Sequence, residues 1–326
     1  MEFTHIPNLK NNVSRIGLGT WSIGGWMWGG TDEKNAISTI HRALDNGINL
    51  IDTAPVYGFG TSEEIVGKAL KQYGKREQIV IATKVGLDWK NQQPFRDSRK
   101  ERIVKEIEDS LSRLQVEYID LYQVHWPDPK TPIAETAEVL SQLLKEGKIR
   151  AIGVSNYSIE EMETFQKTAP LHAAQPPFNL FERNTEQTLL AYCKRKHIST
   201  LGYGSLCRGL LSGKMRADTQ FKGDDLRKSD PKFQPPRFSQ YLACVECLDQ
   251  WAQKKYQRSV LSLAVRWVLD KGINIALWGA RKPEQLDDIA AVWNWKLKPE
   301  DFKEIDDILN KMIPTPVGPE FMAPPA

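Results

Sequence analysis

Asp52, Lys84 and His125 each stand at the end of a separate apolar run, INLID (48–52), QIVIATK (78–84) and YIDLYQVH (118–125), and Tyr57 follows five positions after Asp52. A fold that gathers strand ends would bring a carboxylate, a phenol, an ammonium and an imidazole into one pocket. A tyrosine hydroxyl has an ordinary pKa of about 10, and a nearby ammonium lowers it by stabilising the phenolate. Lys84 is the candidate for that ammonium. Asp52 would keep it charged, because a buried lysine without a partner tends to lose its proton. His125 would add a hydrogen bond that orients a carbonyl oxygen beside the Tyr57 hydroxyl. Donors at that oxygen act most strongly when hydride attack on the carbon loads it with charge, so the four groups together predict carbonyl reduction or its reverse.

The elements that must position them are legible as eight short apolar runs. GLGT (17–20) precedes the three runs above, and IRAIGVS (149–155), LHAAQPPF (171–178), ISTLGYGS (198–205) and INIALWGA (273–280) follow. Helical spacing lies between most of them. Ala36, Ile37, Ile40, Ala43 and Leu44 mark a helix over 33–46 that stops at Gly47. Ser62 is placed to cap a second helix carrying Ile65, Val66, Ala69 and Leu70, and residues 99–114 repeat the pattern. Thr131-Pro132 opens a further helix with proline at its first position, and others are expected at 158–168, 184–196, 240–256, 259–271, 283–293 and 299–311. Eight β-then-α units predict a single (β/α)8 TIM barrel over residues 1–326, with an N-terminal β-hairpin and a long loop after the seventh strand. In such a barrel the strand C-termini form the active face. No G-x-G-x-x-G and no G-x-x-x-x-G-K-[ST] is present, so the usual dinucleotide and P-loop fingerprints are missing.

A net charge of +3 over 326 residues comes from well-mixed acidic and basic side chains. Without a basic block, the chain is not expected to bind nucleic acid. The first residues lack a leader pattern and no segment has the apolar length of a membrane span, which predicts a cytoplasmic location away from membranes. Cys244 and Cys247 form a C-x-x-C in a helical run with no second pair, so no metal site is expected there. Residues 206–239 are too long for a simple connection, and loops of that length are usually functional lids or disordered. The proline-rich tail after 312 is either a frayed end or a segment folded over the barrel mouth.

The run GINLIDTAPVYGFGTSEEIVG (47–67), with ATK at 82–84, YIDLYQVHWPD at 118–128, GKIRAIGVSNY at 147–157 and GSLCRGLLSGK at 204–214, resembles the aldo-keto reductases over nearly the whole chain. GTDEK, DWK and VGPEFMAPP are similar to the bacterial general stress branch. The resemblance implies a barrel that binds NADPH without a Rossmann fold and reduces small aldehydes or ketones, with no obligate protein partner. It implies that Tyr57 is the general acid and that Asp52, Lys84 and His125 complete its tetrad. Ser155, Asn156 and Gln175 match the residues that hold the nicotinamide carboxamide, Tyr203 the aromatic that stacks on the ring, and Thr20 and Trp21 positions beside cofactor and substrate.

Loops after the seventh and eighth barrel strands commonly bind phosphate, and here they carry Gly204, Ser205, Leu206, Cys207, Arg208, Lys214, Arg227, Gly279, Ala280, Arg281 and Lys282. Amides of 204–208 and the Arg208 side chain are expected at the pyrophosphate, with Lys214 and Arg227 closing the long loop over it. Arg281 and Lys282 precede Pro283 at a helix N-terminus, the expected seat of a 2′-phosphate and the basis for preferring NADPH to NADH. Gln285 and Asp288 are expected at the adenosine, although Trp278-Gly279 and Ile289 stand where the family often has Pro-Gly and a final Asn.

Two other readings use the same residues. Lys84 as a Schiff-base nucleophile needs a neutral amine, which an ion pair with Asp52 disfavours. A barrel that binds NADPH and reports redox state to a partner without turnover is the second.

Overall fold

The computed structural model describes all 326 residues. Two short strands, β1 (Phe3–Thr4) and β2 (Val13–Ser14), pair antiparallel as the N-terminal hairpin. The barrel strands are β3 (Ile16–Gly19), β4 (Leu50–Asp52), β5 (Val80–Val85), β8 (Ile119–Val124), β9 (Ile149–Ser155), β10 (Ala173–Gln175), β11 (Ser199–Gly202) and β12 (Ile275–Gly279), all parallel and closed into one ring. Between β5 and β8 an antiparallel ribbon stands on the active face, β6 (Leu87–Lys90) paired with β7 (Gln93–Arg96). The sequence reading had no element there. Each strand is only four residues long and β7 contains Pro94, so neither shows a sustained apolar alternation.

Strand parity decides what faces the barrel axis. Residues two apart share a face, and the inner cluster contains Leu50, Val80, Ala82, Leu121, Ala151, Ala173, Leu201, Ile275 and Leu277. Asp52, Lys84, Gln123 and Gln175 continue the same alternation one layer higher, so polar groups follow directly on the apolar packing. Ile6, Leu9 and Val13 of the hairpin region close the opposite end. A larger apolar shell between strands and helices fixes the ring from outside.

The surrounding helices are α1 (Glu33–Asp45), α2 (Thr61–Tyr73), α3 (Lys100–Leu114), α4 (Ile133–Lys145), α5 (Ile159–Gln166), α6 (Leu189–Arg195), α7 (Arg237–Tyr256), α8 (Val260–Asp270) and α9 (Pro299–Met312). α1 starts at Asp32, whose carboxylate accepts from the Asn35 amide, and ends before Gly47 at φ +83°. Several starts differ from the expectation. Gly60, in the left-handed region, precedes α2; Ser62 lies inside the helix and donates to Thr20 Oγ1 at 2.8 Å. α4 begins one residue after Pro132, because the Thr131 hydroxyl is held by Asp128. α6 is shorter than 184–196, and residues 283–292 form a 3-10 helix rather than an α-helix.

The loop after β11 contains three 3-10 turns and is pinned. Asp224 accepts from the Met27 and Gly29 amides at 2.7 and 2.9 Å, tying it to the loop after β3. The tail takes the second of its two expected courses: Arg96 holds the carbonyls of Pro324 and Pro325 across the barrel mouth. No helix is long and apolar enough to cross a membrane.

Candidate active site

Asp52 ends β4, Lys84 lies in β5, His125 follows β8, and Tyr57 comes from the turn between β4 and α2. Lys84 is fully buried, and its ammonium has three hydrogen-bond partners: Asp52 Oδ1 at 2.6 Å, the Thr53 carbonyl at 2.9 Å and the Tyr57 hydroxyl at 3.2 Å. The other Asp52 oxygen accepts from Gln175 Nε2 at 2.7 Å and Gln123 Nε2 at 3.2 Å. Gln123 is absent from the sequence reading. The available signal was parity, since it sits two residues before His125 and therefore on the same face of the strand. The rings of His125 and Tyr57 meet edge-to-face at 5.7 Å, and Trp21 stacks on Tyr57 at 5.9 Å.

Electrostatics differ from the expectation in one respect. Enclosure pushes the Tyr57 phenol above its ordinary pKa; Lys84 pulls it down and Asp52 adds to the rise, so the net direction is up. Desolvation would lower Lys84, but Asp52 and Tyr57 outweigh it and hold the ammonium above the ordinary lysine value. Burial, with the Lys84 charge beside it, drives His125 well below the ordinary imidazole value. At neutral pH the site therefore holds a phenol, an ammonium and a neutral imidazole.

Two cavities meet at Tyr57. One, of about 430 Å³, is walled by Trp21, Trp26, Val56, Leu87, His125 and Trp126, residues Gln92–Pro94 at the tip of the ribbon, and tail residues 321–325. The tail was not assigned to the site from the sequence, because its proline-rich run has no periodicity to place it. The other, of about 390 Å³, is a groove running from Thr20, Asp52 and Gln175 past Tyr203, Gly204, Ser205 and Leu206 to Lys214, Arg227, Gly279, Arg281 and Gln285. Trp21, Tyr57, Gln175 and Tyr203 line both.

An elongated ligand with anionic groups suits the groove. A Cβ added at Gly279 would stand in open space, so the strand end leaves room for a ligand there. Lys214 and Arg281 bring positive charge to the outer wall, Arg281 anchored on the Trp28 carbonyl at 2.6 Å. Arg227 lies over the rings of Trp28 and Phe221 and is doubly bonded to Asp225. Ser155 and Asn156 line the first cavity rather than the groove and meet it through shared residues: Ser155 Oγ donates to the Gln175 carbonyl at 2.8 Å and Asn156 Oδ1 accepts from Tyr203 at 2.9 Å.

Other expected contacts lie elsewhere. The Arg208 guanidinium borders the groove but is buried in ion pairs with Glu182 and Asp230, so its charge is already neutralised and it is not a free pyrophosphate ligand. Cys207 is fully buried, its thiol pushed up to about 12, first by burial. Ala280 is buried behind the wall, and exposed Lys282 and Asp288 do not line the groove. Gln285 Oε1 takes the amides of Arg281 and Lys282 at 2.9 and 3.1 Å, occupying donors that an anion at this helix start would use.

The sequence model of the family described as "Aldo/keto reductase family" matches residues 15–310. The chain is 63% identical over 326 residues to the aldo-keto reductase YhdN of Bacillus subtilis (strain 168), covering 100% of this chain and 98% of that one. It is 38% identical over 307 residues to an NADH-specific methylglyoxal reductase of Escherichia coli (strain K12), covering 89% and 92%. Among solved structures, a glycerol dehydrogenase from Gluconobacter oxydans superposes with a TM-score of 0.89 at 56% identity, covering 98% and 99%. An aldo/keto reductase from Klebsiella pneumoniae in complex with NADP and acetate superposes with a TM-score of 0.71 at 27% identity, covering 92% of each chain.

Proposed function

The chain belongs to the aldo/keto reductase family, and from that premise we propose that it reduces uncharged aldehydes and ketones with NADPH, Tyr57 giving the proton. The observation that carries this reading is the saturation of Lys84. An ammonium has three protons, and Asp52, the Thr53 carbonyl and the Tyr57 oxygen accept one each. Tyr57 is thus an acceptor toward Lys84, and its own hydrogen is left to point into the cavity where a substrate oxygen would stand. A phenol held above its ordinary pKa keeps that proton at neutral pH, as a donor to a developing alkoxide must. Neutral His125 supplies a second hydrogen bond at the same oxygen.

Bound in the groove, the nicotinamide dinucleotide would supply the hydride. Ser155, Asn156 and Gln175 would hold its carboxamide, Tyr203 would lie against the ring, and Lys214 and Arg281 would face the phosphates, Arg227 being already paired with Asp225. NADPH is proposed over NADH because Arg281 gives a 2′-phosphate a cation. Lys282 is too far out in this conformation to share that role. The substrate cavity has no Lys, Arg, Asp or Glu in its wall, so an anionic carbonyl compound would lose hydration without gaining a partner. This favours neutral substrates such as short, aromatic or dicarbonyl aldehydes.

The test is oxidation of NADPH, and separately NADH, against a panel of aldehydes by wild type and Tyr57→Phe. Loss of a proton donor should lower kcat by ~10²–10⁴-fold and leave NADPH affinity within about twofold. Undiminished turnover by the phenylalanine variant would remove Tyr57 from its role. Tight NADPH binding with no turnover by wild type would favour a redox-sensing barrel.

A further inference from the structure

Pro324 and Pro325 offer carbonyls but have no N–H to donate. Both carbonyls are taken by one residue: Arg96 Nε donates to the Pro324 oxygen at 3.0 Å and the Arg96 amide to the Pro325 oxygen at 3.1 Å. The same guanidinium reaches the Pro127 carbonyl at 3.0 Å and lies 5.3 Å over the ring of Trp126. Arg96 stands at the base of the β6–β7 ribbon, opposite Leu87, while Gln92–Pro94 at the ribbon's tip rim the cavity. Three walls of one cavity, ribbon, His125 loop and tail, therefore converge on a side chain that does not itself line it.

We propose that Arg96 is a positioning residue for substrate selection, fixing residues 321–325 as the outer wall that receives the body of bulky or aromatic carbonyl substrates. This rests on the reductase reading above. A short aldehyde needs only Tyr57 and His125, whereas the body of an aromatic substrate would use the apolar wall that Phe321, Pro324 and Trp126 give the same cavity. The tail is tied independently at its start, where Lys232 donates to the Gly318 carbonyl at 3.0 Å and the Val317 amide to the Tyr241 oxygen at 3.4 Å. Loss of the Arg96 side chain thus frees the Pro324 carbonyl and loosens only the last residues, while the backbone amide of residue 96 still meets Pro325. Arg is specific here because a planar, multiply donating, ring-stacking group is needed; Lys supplies one point charge.

The experiment compares wild type, Arg96→Ala, Arg96→Lys, a chain ending at Ala323, and Arg96→Ala in that shortened chain, each with a three-carbon aldehyde and a substituted benzaldehyde. Arg96→Ala should raise KM for the aromatic substrate by about tenfold, a size typical of lost apolar contacts in a pocket, with kcat and the three-carbon KM unchanged. Arg96→Lys should recover part of the loss. The shortened chain should reproduce the effect, and adding Arg96→Ala to it should change nothing further. Equal losses for both aldehydes, or effects that add in the double variant, would overturn the proposal. Hydrogen exchange at the Met322 and Ala323 amides gives a readout without turnover. Faster exchange confined to these residues in Arg96→Ala supports the latch, and unchanged exchange rejects it. Wild-type inactivity on every aldehyde would instead reject the reductase reading, leaving exchange to decide the latch.

Discussion

His125 has two possible roles at a carbonyl oxygen, as an imidazolium or as a neutral donor, and its surroundings select the second. Burial and the adjacent Lys84 ammonium hold its pKa well below the ordinary value of 6.5, so no proton is taken up as the pH falls through that value. The kcat/KM profile for aldehyde reduction should accordingly be flat from about pH 8 to pH 6, whereas an ordinary histidine would produce a limb near 6.5. An acid limb centred there in wild type and missing from His125→Asn would show that the ring titrates and that the neutral-donor assignment is wrong. The four polar types were legible in the sequence because each stands at a strand end. The balance of forces on Tyr57 was not, since enclosure by Trp21 and His125 depends on loops that meet only in the folded chain.

Parity along β8 and its neighbour β9 shows how an element can serve a site without touching substrate. Gln123 donates to Asp52 at 3.2 Å, and the strand beside it has Gly153 opposite in register. A Cβ at Gly153 would meet Gln123 Cγ at 2.8 Å and both Leu121 Cδ1 and the Ala173 carbonyl at 3.3 Å. The glycine therefore makes room for the glutamine that holds Asp52 in place. Gly153→Ala should cost about 1–3 kcal/mol of stability, the usual range for overpacking a core, read as a lower urea midpoint. It should also lower kcat by displacing Gln123, and Gln123→Ala in the same chain should recover most of the stability but not the rate. Unchanged stability in the single variant would mean that the barrel interior has slack at this level. Eight βα units could be read from period and stop signals; β6, β7 and the 3-10 helix at 283–292 could not. Short ribbons are defined by pairing rather than by local pattern, and the last barrel segment tightens into 3-10 geometry where Gln285 caps two amides and its carbonyl accepts from the Trp278 indole.

At the scale of the molecule, the loops after β10 and β11 are joined by a buried ionic cluster, and Lys232 ties it to the tail through the Gly318 carbonyl. Glu182 is paired with Arg208 and, at 2.8 Å, with Lys232; Asp230 pairs with Arg208 at 2.6 Å, and Asn179 Nδ2 donates to the free Glu182 oxygen at 2.7 Å. All four charged side chains are almost completely buried. Replacing both members of such a pair by apolar groups can be neutral, but removing one leaves an uncompensated buried charge at about 3–5 kcal/mol. Glu182→Gln leaves Arg208 and Lys232 with Asp230 alone, so a loss of about 3 kcal/mol in unfolding free energy is expected at pH 7. The pH dependence follows from the direction of the Glu182 shift. Burial raises its pKa, but the two cations and their hydrogen bonds overcome this and hold it below the ordinary 4.5. A carboxylate depressed in the folded state contributes stability above its unfolded pKa and loses it as pH falls through the folded one. The gap between wild type and Glu182→Gln should thus be constant from pH 8 to about pH 5 and shrink below 4.5, where the unfolded chain takes up the proton that the folded carboxylate still resists. Urea midpoints across that range would decide it: a gap that persists unchanged at pH 3 would mean that lost packing or hydrogen bonding, rather than charge, accounts for the variant's loss.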